Sequence, residues 1–283
     1  MTGEGIVVEK TFDFLKDARK RPMIVAHRGT SAGNIPGNTP AAFDAAIHDG
    51  ADMIELDVER SLDGTLYCFH GGEEFSMLQI RDRLKNLTDD HIRHLRYYNV
   101  DLAKTEHPVY KLDEIFEHLK GRCYINVDKF VLNMGPIAEC IRRHKIQDQC
   151  VVKFDVTQPL LDELEQTAPD LPFMAVLTDR DDFTEWLMKS RINYVGAEAC
   201  FHKESDQLCQ REYIESMHKK GLILWANGIV YSYKNQLAAG HNDDISVVGR
   251  EDEGWGWLLD RGFDMIQTDW PLQLRLYMNK RGL

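Results

Sequence analysis

From residue 23 to residue 269, short apolar runs alternate with stretches of helical periodicity, and no other feature narrows the fold as far. The strand-like runs lie at 23–29, 53–58, 123–128, 151–154, 172–177, 194–199, 222–227 and 265–269. Helical patterns fill most of the gaps. Thr39-Pro40 reads as an N-cap and first-turn proline, Phe43, Ala46 and Ile47 form the inner stripe of that helix, and Gly50 stops it. Further helical stretches fall near 134–145, 158–167, 181–190, 205–220 and 251–261. A short amphipathic stretch at 11–21 precedes them, with Phe12, Leu15 and Ala18 at helical spacing. Eight strand–helix units in 283 residues predict an α/β fold, a TIM (β/α)8 barrel spanning 1–283 as one domain.

One run departs from the alternation. Leu66-Tyr-Cys-Phe-His70 follows the strand at 53–58 after a turn containing Ser61-Leu62-Asp63-Gly64. A parallel crossover needs about a dozen residues or more, so this run must fold back on its predecessor as a β-hairpin inserted after the second barrel strand. Residues 71–121 then form an insertion region with a Thr88-capped helix and a helix at 112–119, and no domain-sized core pattern of their own. The long connection from Gly228 to about Arg250 is aromatic and polar, and is expected to cover the barrel mouth.

In a TIM barrel the carboxyl ends of the strands carry the chemistry. Read in order, those ends present His27 and Arg28, Glu55 and Asp57, Asp128, Lys153, Glu198, Trp225 with Asn227, and Asp269. The fold-back brings His70 towards the same place. Glu55 and Asp57 stand two apart on one strand and so share a face, where they repel unless a proton or cation lies between them. With Asp128 they form an oxygen-ligand set suited to Mg²⁺ or Ca²⁺, whereas zinc would favour His or Cys. Arg28 and Lys153 are cationic donors for a phosphate or carboxylate. His27 and His70 can supply the acid and the base of a hydrolysis near neutral pH. Trp225, with aromatic residues of 228–257, is a candidate wall for an organic group. Each residue also has a purely structural alternative. Arg28 can close a salt bridge with Asp57, Asp128 can cap a helix, Lys153 can be solvated and Trp225 can belong to the core. Asp269, ahead of Trp270-Pro271, reads as an N-cap and is assigned no chemistry.

The net charge of −12, from 34 basic and 46 acidic side chains, argues against nucleic acid or an anionic membrane surface as the main partner. The six cysteines are scattered, with neither paired metal spacing nor a redox motif. There is no apolar run of about 18 residues and no signal-peptide core at the amino end, so a cytoplasmic location without stable membrane insertion is expected. Oligomeric state is not legible from the sequence.

The motifs Ala26-His27-Arg28-Gly29, Asn38-Thr39-Pro40-Ala-Ala-Phe43, Gly50-Ala-Asp-Met-Ile-Glu-Leu-Asp-Val58, Asp63-Gly64 and Phe69-His70 resemble the glycerophosphodiester phosphodiesterases. Weaker echoes run through Ile125-Asn-Val-Asp128 to Gly262-Phe-Asp-Met-Ile-Gln-Thr-Asp-Trp-Pro271. The resemblance implies a barrel with a hairpin insertion and a Mg²⁺- or Ca²⁺-dependent hydrolase of lipid and glycerol metabolism. Such an enzyme releases an alcohol and glycerol 3-phosphate from a small-molecule phosphodiester. It implies metal ligation by Glu55, Asp57 and Asp128, and acid–base work by His27 and His70. Phospholipase-D-like action on lysophospholipids, or phosphodiester binding without turnover, are the alternatives. Departures from the family pattern stand at Gly37, where an acid is usual, at Gly71, where the family has His-Asp, and at Asp128, usually Glu. The family's phosphate lysine lies two residues beyond the third acid. Here Lys129 is adjacent and would face outward on a continuing strand, so Lys153 is expected to take that role.

Overall fold

The strand-like runs become β1 (Met23–His27), β2 (Met53–Arg60), β3 (Leu66–Cys68), β4 (Tyr124–Asp128), β5 (Cys150–Asp155), β6 (Phe173–Thr178), β7 (Tyr194–Cys200), β8 (Ile223–Asn227) and β9 (Met265–Thr268). The structure, a computed structural model, describes residues 11–230, 234 and 236–283. The aromatic residues Tyr231 and Tyr233, expected near the mouth, lie outside the described residues, as does the amino end read for a signal peptide. β1 pairs in parallel with both β2 and β9, and the ring β1-β2-β4-β5-β6-β7-β8-β9 closes on itself. The fold is the eight-stranded α/β barrel that the alternation predicts. β2 runs past the ring: its first part pairs with β1 and β4, and Val58, Glu59 and Arg60 pair antiparallel with β3.

The period of two along each strand sorts side chains into two environments. Ile24, Ala26, Ile54, Leu56, Ile125, Val127 and Val152 face outward into the continuous core beneath the helices. Met23, Val25, Met53, Tyr124, Val151, Met174, Ile223 and Met265 face inward and fill the amino-terminal end of the barrel. The helix Phe14–Ala18 plugs that end with Phe14 and Ala18, and Phe12 and Phe14 meet Tyr124 edge-on. Burying a ring such as Phe14 stabilises the fold by roughly 1.5–3 kcal/mol. With this end filled by hydrocarbon, polar inward residues occur only higher up each strand, towards the mouth.

The insertion region carries a satellite core of Tyr67, Phe69, Leu78, Leu84, Ile92, Tyr97 and Val109. Its effect on the mouth is direct, because Phe69 N donates to Asp57 O at 3.0 Å and so sets His70 beside β2. Some expected helices are shorter than their patterns. The stretch at 181–190 holds only Thr184–Leu187, since the Asp181 side chain accepts from Phe183 N and Thr184 N and spends the preceding residues on a turn. The 205–220 pattern resolves into a 3₁₀ turn and the helix Arg211–Lys219, and the 251–261 pattern into Trp255–Arg261. The connection after β8 includes the helix Asp243–Val247, capped by Asn242. No helix among the described residues is long and apolar enough to cross a membrane.

Candidate active site

The carboxyl ends of the strands enclose a cavity of about 700 Å³ bordered by His27, Arg28, Glu55, Asp57, His70, Asp128 and Lys153. Seven of the eight residues assigned a role from the sequence therefore converge on one space. Trp225 does not. Its ring is fully buried in the apolar layer with Val25, Met53 and Ile223, below the cavity, so the expectation that it walls an organic group is corrected. The residue sits one inward step too deep: Asn227, two positions on, is the β8 side chain that borders the cavity. Trp225 instead lies under Lys153, whose Nζ is 4.5 Å from the ring centroid.

Glu55, Asp57 and Asp128 bring one ligand oxygen each within 4.8 Å of one another. Glu55 accepts from Arg28 N at 3.1 Å and is almost fully buried. Burial, and then the charge of Asp57, push its carboxyl up to about 7. Asp57 accepts from Asn38 Nδ2 at 2.9 Å and pairs with Arg28 Nε at 2.9 Å. Asp128 would be raised by burial, but the charges of Lys153 and Lys129 outweigh that and hold it low. Clustered buried carboxylates, one shifted by nearly enough to stay protonated at neutral pH, form a site that a divalent cation would stabilise. The donor set is all oxygen and fits a hard ion.

His27 Nδ1 lies 2.8 Å from Asp269 Oδ1, which leaves Nε2 as the ring nitrogen available for proton transfer. Burial alone would lower the His27 pKa, but the Asp269 hydrogen bond and the charges of Glu55 and Asp269 overcome it, and the net shift is upward. Asp269 is therefore more than the helix cap read from the sequence. The N-cap position belongs to Trp270, with no side-chain cap, while Asp269 holds the imidazole. Its backbone N–H donates to Asp243 Oδ2 at 2.8 Å, and Asp243 is in turn fixed by Trp255 Nε1 at 2.7 Å and Thr268 Oγ1 at 2.8 Å. On the other side, His70 Nε2 is 3.9 Å from Asp57 Oδ1 and its Nδ1 is 3.6 Å from Glu73 Oε1.

Glu73 is a second residue that sequence reading passed over. It bonds Arg28 NH1 at 2.8 and 3.0 Å, so Arg28 is braced between Asp57 and Glu73. The only signal for it in the sequence was its position three residues after His70. The two glycine departures have local causes. A Cβ on Gly71 would come 2.0 Å from Glu59 Oε2, the next inward side chain of β2 after Asp57, so Glu59 occupies the space an acid there would need. A Cβ on Gly37 would lie 3.2 Å from Arg28 Cβ.

Lys153 points inward as expected, is nearly fully buried and pairs with Glu198. Glu198 also accepts from Asn227 Nδ2 at 2.6 Å. Lys129 does not face outward. β4 ends at Asp128, and Lys129 takes a left-handed φ of 58°, which swings its Nζ to 2.8 Å from Asp128 Oδ2 at the cavity edge. The assumption of a continuing strand caused that error.

Fold and cavity thus define a TIM-barrel protein whose mouth joins clustered carboxylates, cations and two imidazoles. Curated relatives match over short segments. A glycerophosphodiester phosphodiesterase of Bacillus altitudinis is 40% identical over 70 residues, which is 25% of this chain and 28% of that protein. Another, of Caldanaerobacter subterraneus, is 50% identical over 50 residues, or 18% of this chain and 20% of that protein. The chain thus matches less than a third of the length of each of these relatives. Among solved structures, a glycerophosphoryl diester phosphodiesterase of Parabacteroides distasonis superposes with a TM-score of 0.78 at 16% identity, covering 96% of this chain and 93% of that one. A phosphodiesterase of Oleispira antarctica, in complex with the product sn-glycerol-3-phosphate, gives 0.67 at 16% identity, covering 93% and 99%. A sequence profile described as a domain of unknown function matches residues 173–278. Over these short segments the chain is similar to glycerophosphodiester phosphodiesterases, and its overall fold is the one their solved structures share.

Proposed function

We propose that this chain hydrolyses glycerophosphodiesters, small-molecule phosphodiesters that yield an alcohol and glycerol 3-phosphate. The reading is carried by one observation: three carboxylates, two imidazoles and an arginine border a single cavity at the catalytic end of a barrel. Glu55, Asp57 and Asp128 would hold a divalent cation, Mg²⁺ or Ca²⁺. Such an ion supplies charge stabilisation to a phosphate oxygen when bound. Arg28, held rigid by Asp57 and Glu73, presents donors to the phosphate, and Lys153 adds positive charge from the cavity floor. His27, oriented by Asp269, and His70, set by the fold-back of β3, serve as the acid–base pair: one takes the proton of the nucleophile, a water or the substrate's own neighbouring hydroxyl, and the other protonates the departing alkoxide.

The test is turnover of a panel of glycerophosphodiesters, followed by release of glycerol 3-phosphate, with EDTA, Mg²⁺ or Ca²⁺ present. Metal-dependent release is expected. Diester binding without turnover in every metal would refute hydrolysis, and turnover indifferent to chelators would refute the metal assignment. The lysines are separated by Lys153→Ala and Lys129→Ala. Full turnover in the first and none in the second would transfer the phosphate role to Lys129.

A further inference from the structure

The helix Leu112–Leu119 leads into β4 and the helix Met134–His144 leaves it, and the two pack side by side on the outside of the barrel. Each presents a pair of potential metal ligands one turn apart: Asp113 and Glu117 on the first, Cys140 and His144 on the second. Residues four apart share a helix face. The pairs also meet in register, Asp113 against Cys140 and Glu117 against His144, each couple 27 residues apart. Cys140 and His144 are nearly fully buried, whereas the two carboxylates reach solvent. Cysteine spacing gives no warning of this cluster, because it holds one thiol and takes its other donors from imidazole and carboxylate.

We propose that Asp113, Cys140 and His144 form a site for a divalent cation of the zinc class. The three offer one ligand atom each within 4.8 Å of one another. Tetrahedral zinc holds its ligands at about 2.0–2.3 Å, which sets neighbouring donors roughly 3.3–3.8 Å apart. Cys140 Sγ stands 3.6 Å from Asp113 Oδ1, already at that spacing. His144 Nε2 lies 2.7 Å from the same oxygen, a hydrogen bond that must open by roughly 0.6 Å to admit the ion. On the other edge of the ring Nδ1 is 2.7 Å from Glu117 Oε1. Glu117 therefore accepts from Nδ1–H and leaves the Nε2 lone pair for the metal, the outer bond that metal-bound histidines usually make. A cationic group already stands at the centre: Arg143 NH2 is 2.5 Å from Asp113 Oδ1 and 3.4 Å from Cys140 Sγ. The Arg143 side chain is exposed and can turn into water as the ion enters. The thiol proton of Cys140 and the proton shared by Nε2 and Asp113 leave to solvent. Thiolate and imidazole beside a carboxylate select an ion such as Zn²⁺ over Mg²⁺ or Ca²⁺, the opposite of the all-oxygen set at the mouth. None of these residues borders the mouth cavity, so the site is separate from the proposed chemistry. Its ion joins the helices on either side of the strand that carries Asp128.

Cobalt reports on this site alone, because a thiolate ligand gives Co²⁺ a charge-transfer absorption that the all-oxygen mouth cannot produce. The reduced chain is titrated with Co²⁺ in excess Mg²⁺, and Zn²⁺ is then added in competition. The expected result is one thiolate-bound Co²⁺ per chain, its absorption bleached by one equivalent of Zn²⁺. Cys140→Ala should abolish the absorption. Two variants at solvent-reaching positions keep the test independent of that buried residue. Asp113→Asn should weaken Co²⁺ binding at least tenfold, and Glu117→Ala, which removes only the partner of His144, roughly ten- to a hundredfold. A titration carried to saturation with no charge-transfer absorption overturns the site. So does an absorption that survives in Cys140→Ala, or an affinity unmoved in both carboxylate variants. The four side chains are then an ion-paired clamp between two helices and nothing more. These outcomes stand apart from the hydrolase reading, since none of them depends on turnover of a diester.

Discussion

Asp269→Asn isolates the link between barrel closure and catalysis, because it keeps the shape of the side chain and removes its charge. The hydrogen bond from His27 Nδ1 measures 2.8 Å, with the imidazole side chain 22% exposed and the carboxylate 50% exposed. A hydrogen bond to a charged group is worth about 1.5–3 kcal/mol when buried, and half-exposure screens this one to about 1 kcal/mol. At about 1.4 kcal/mol per pKa unit, His27 should lose roughly 0.5–1 unit. The sign follows from the raised pKa of His27, to which Asp269 contributes by favouring the imidazolium. The pH profile of kcat/KM should therefore shift one limb to lower pH. If the acid limb moves, His27 is the base; if the alkaline limb moves, it is the acid. A loss of roughly tenfold in kcat should accompany the shift, as part of the 10²–10⁴ that a positioned acid or base supplies. Linkage gives an independent reading. A histidine with a raised folded pKa contributes stability that is present below its unfolded pKa of about 6.5 and lost as pH rises through the folded value. Asp269→Asn should thus lower Tm at pH 5.5 more than at pH 8.5. Identical pH profiles and a pH-independent change in Tm would reduce Asp269 to a loop residue.

Replacing His27 or His70 by alanine should each cost about 10²–10⁴ in kcat with a cooperative melt retained, and a variant near full activity would remove that histidine from the chemistry. Because Glu55 is raised to about 7 by burial and by Asp57, a cation must displace its proton. Mg²⁺ affinity measured by calorimetry should then fall about tenfold per pH unit below 7 and level off above it, and a flat profile would place the ion elsewhere. The same shift makes the metal-free protein most stable in the protonated range: stability should decline as pH rises from about 4.5 through 7, and the divalent ion should restore it. Gly71→Ala pushes a methyl group against Glu59 Oε2, so a stability loss of about 1–3 kcal/mol is expected in denaturant titrations, and an unchanged midpoint would show that Glu59 moves aside without cost.

Barrel and mouth were legible in the sequence for one reason: the period of a strand is two, so position along each run states which way a side chain faces. That rule places Glu55 with Asp57, Asp128, His27 and Lys153 inward, and the short connection after β2 forces the fold-back that carries His70. The same rule failed where a strand stopped. Lys129 follows β4 into a left-handed turn, and backbone conformation after a strand is not written in its alternation. Trp225 faces inward as the parity requires, but its depth depends on how far β8 is staggered around the ring, which only closure sets.

By itself, the sequence determined the alternation of elements, the inward parity and the acid pair, because these follow from local periodicity. Only the tertiary structure decided that Asp269, 242 residues from His27 along the chain, is its partner, and that Glu73 braces Arg28. Joining β1 to β9 makes neighbours of the chain's two ends, and no local pattern records which side chains meet across that seam.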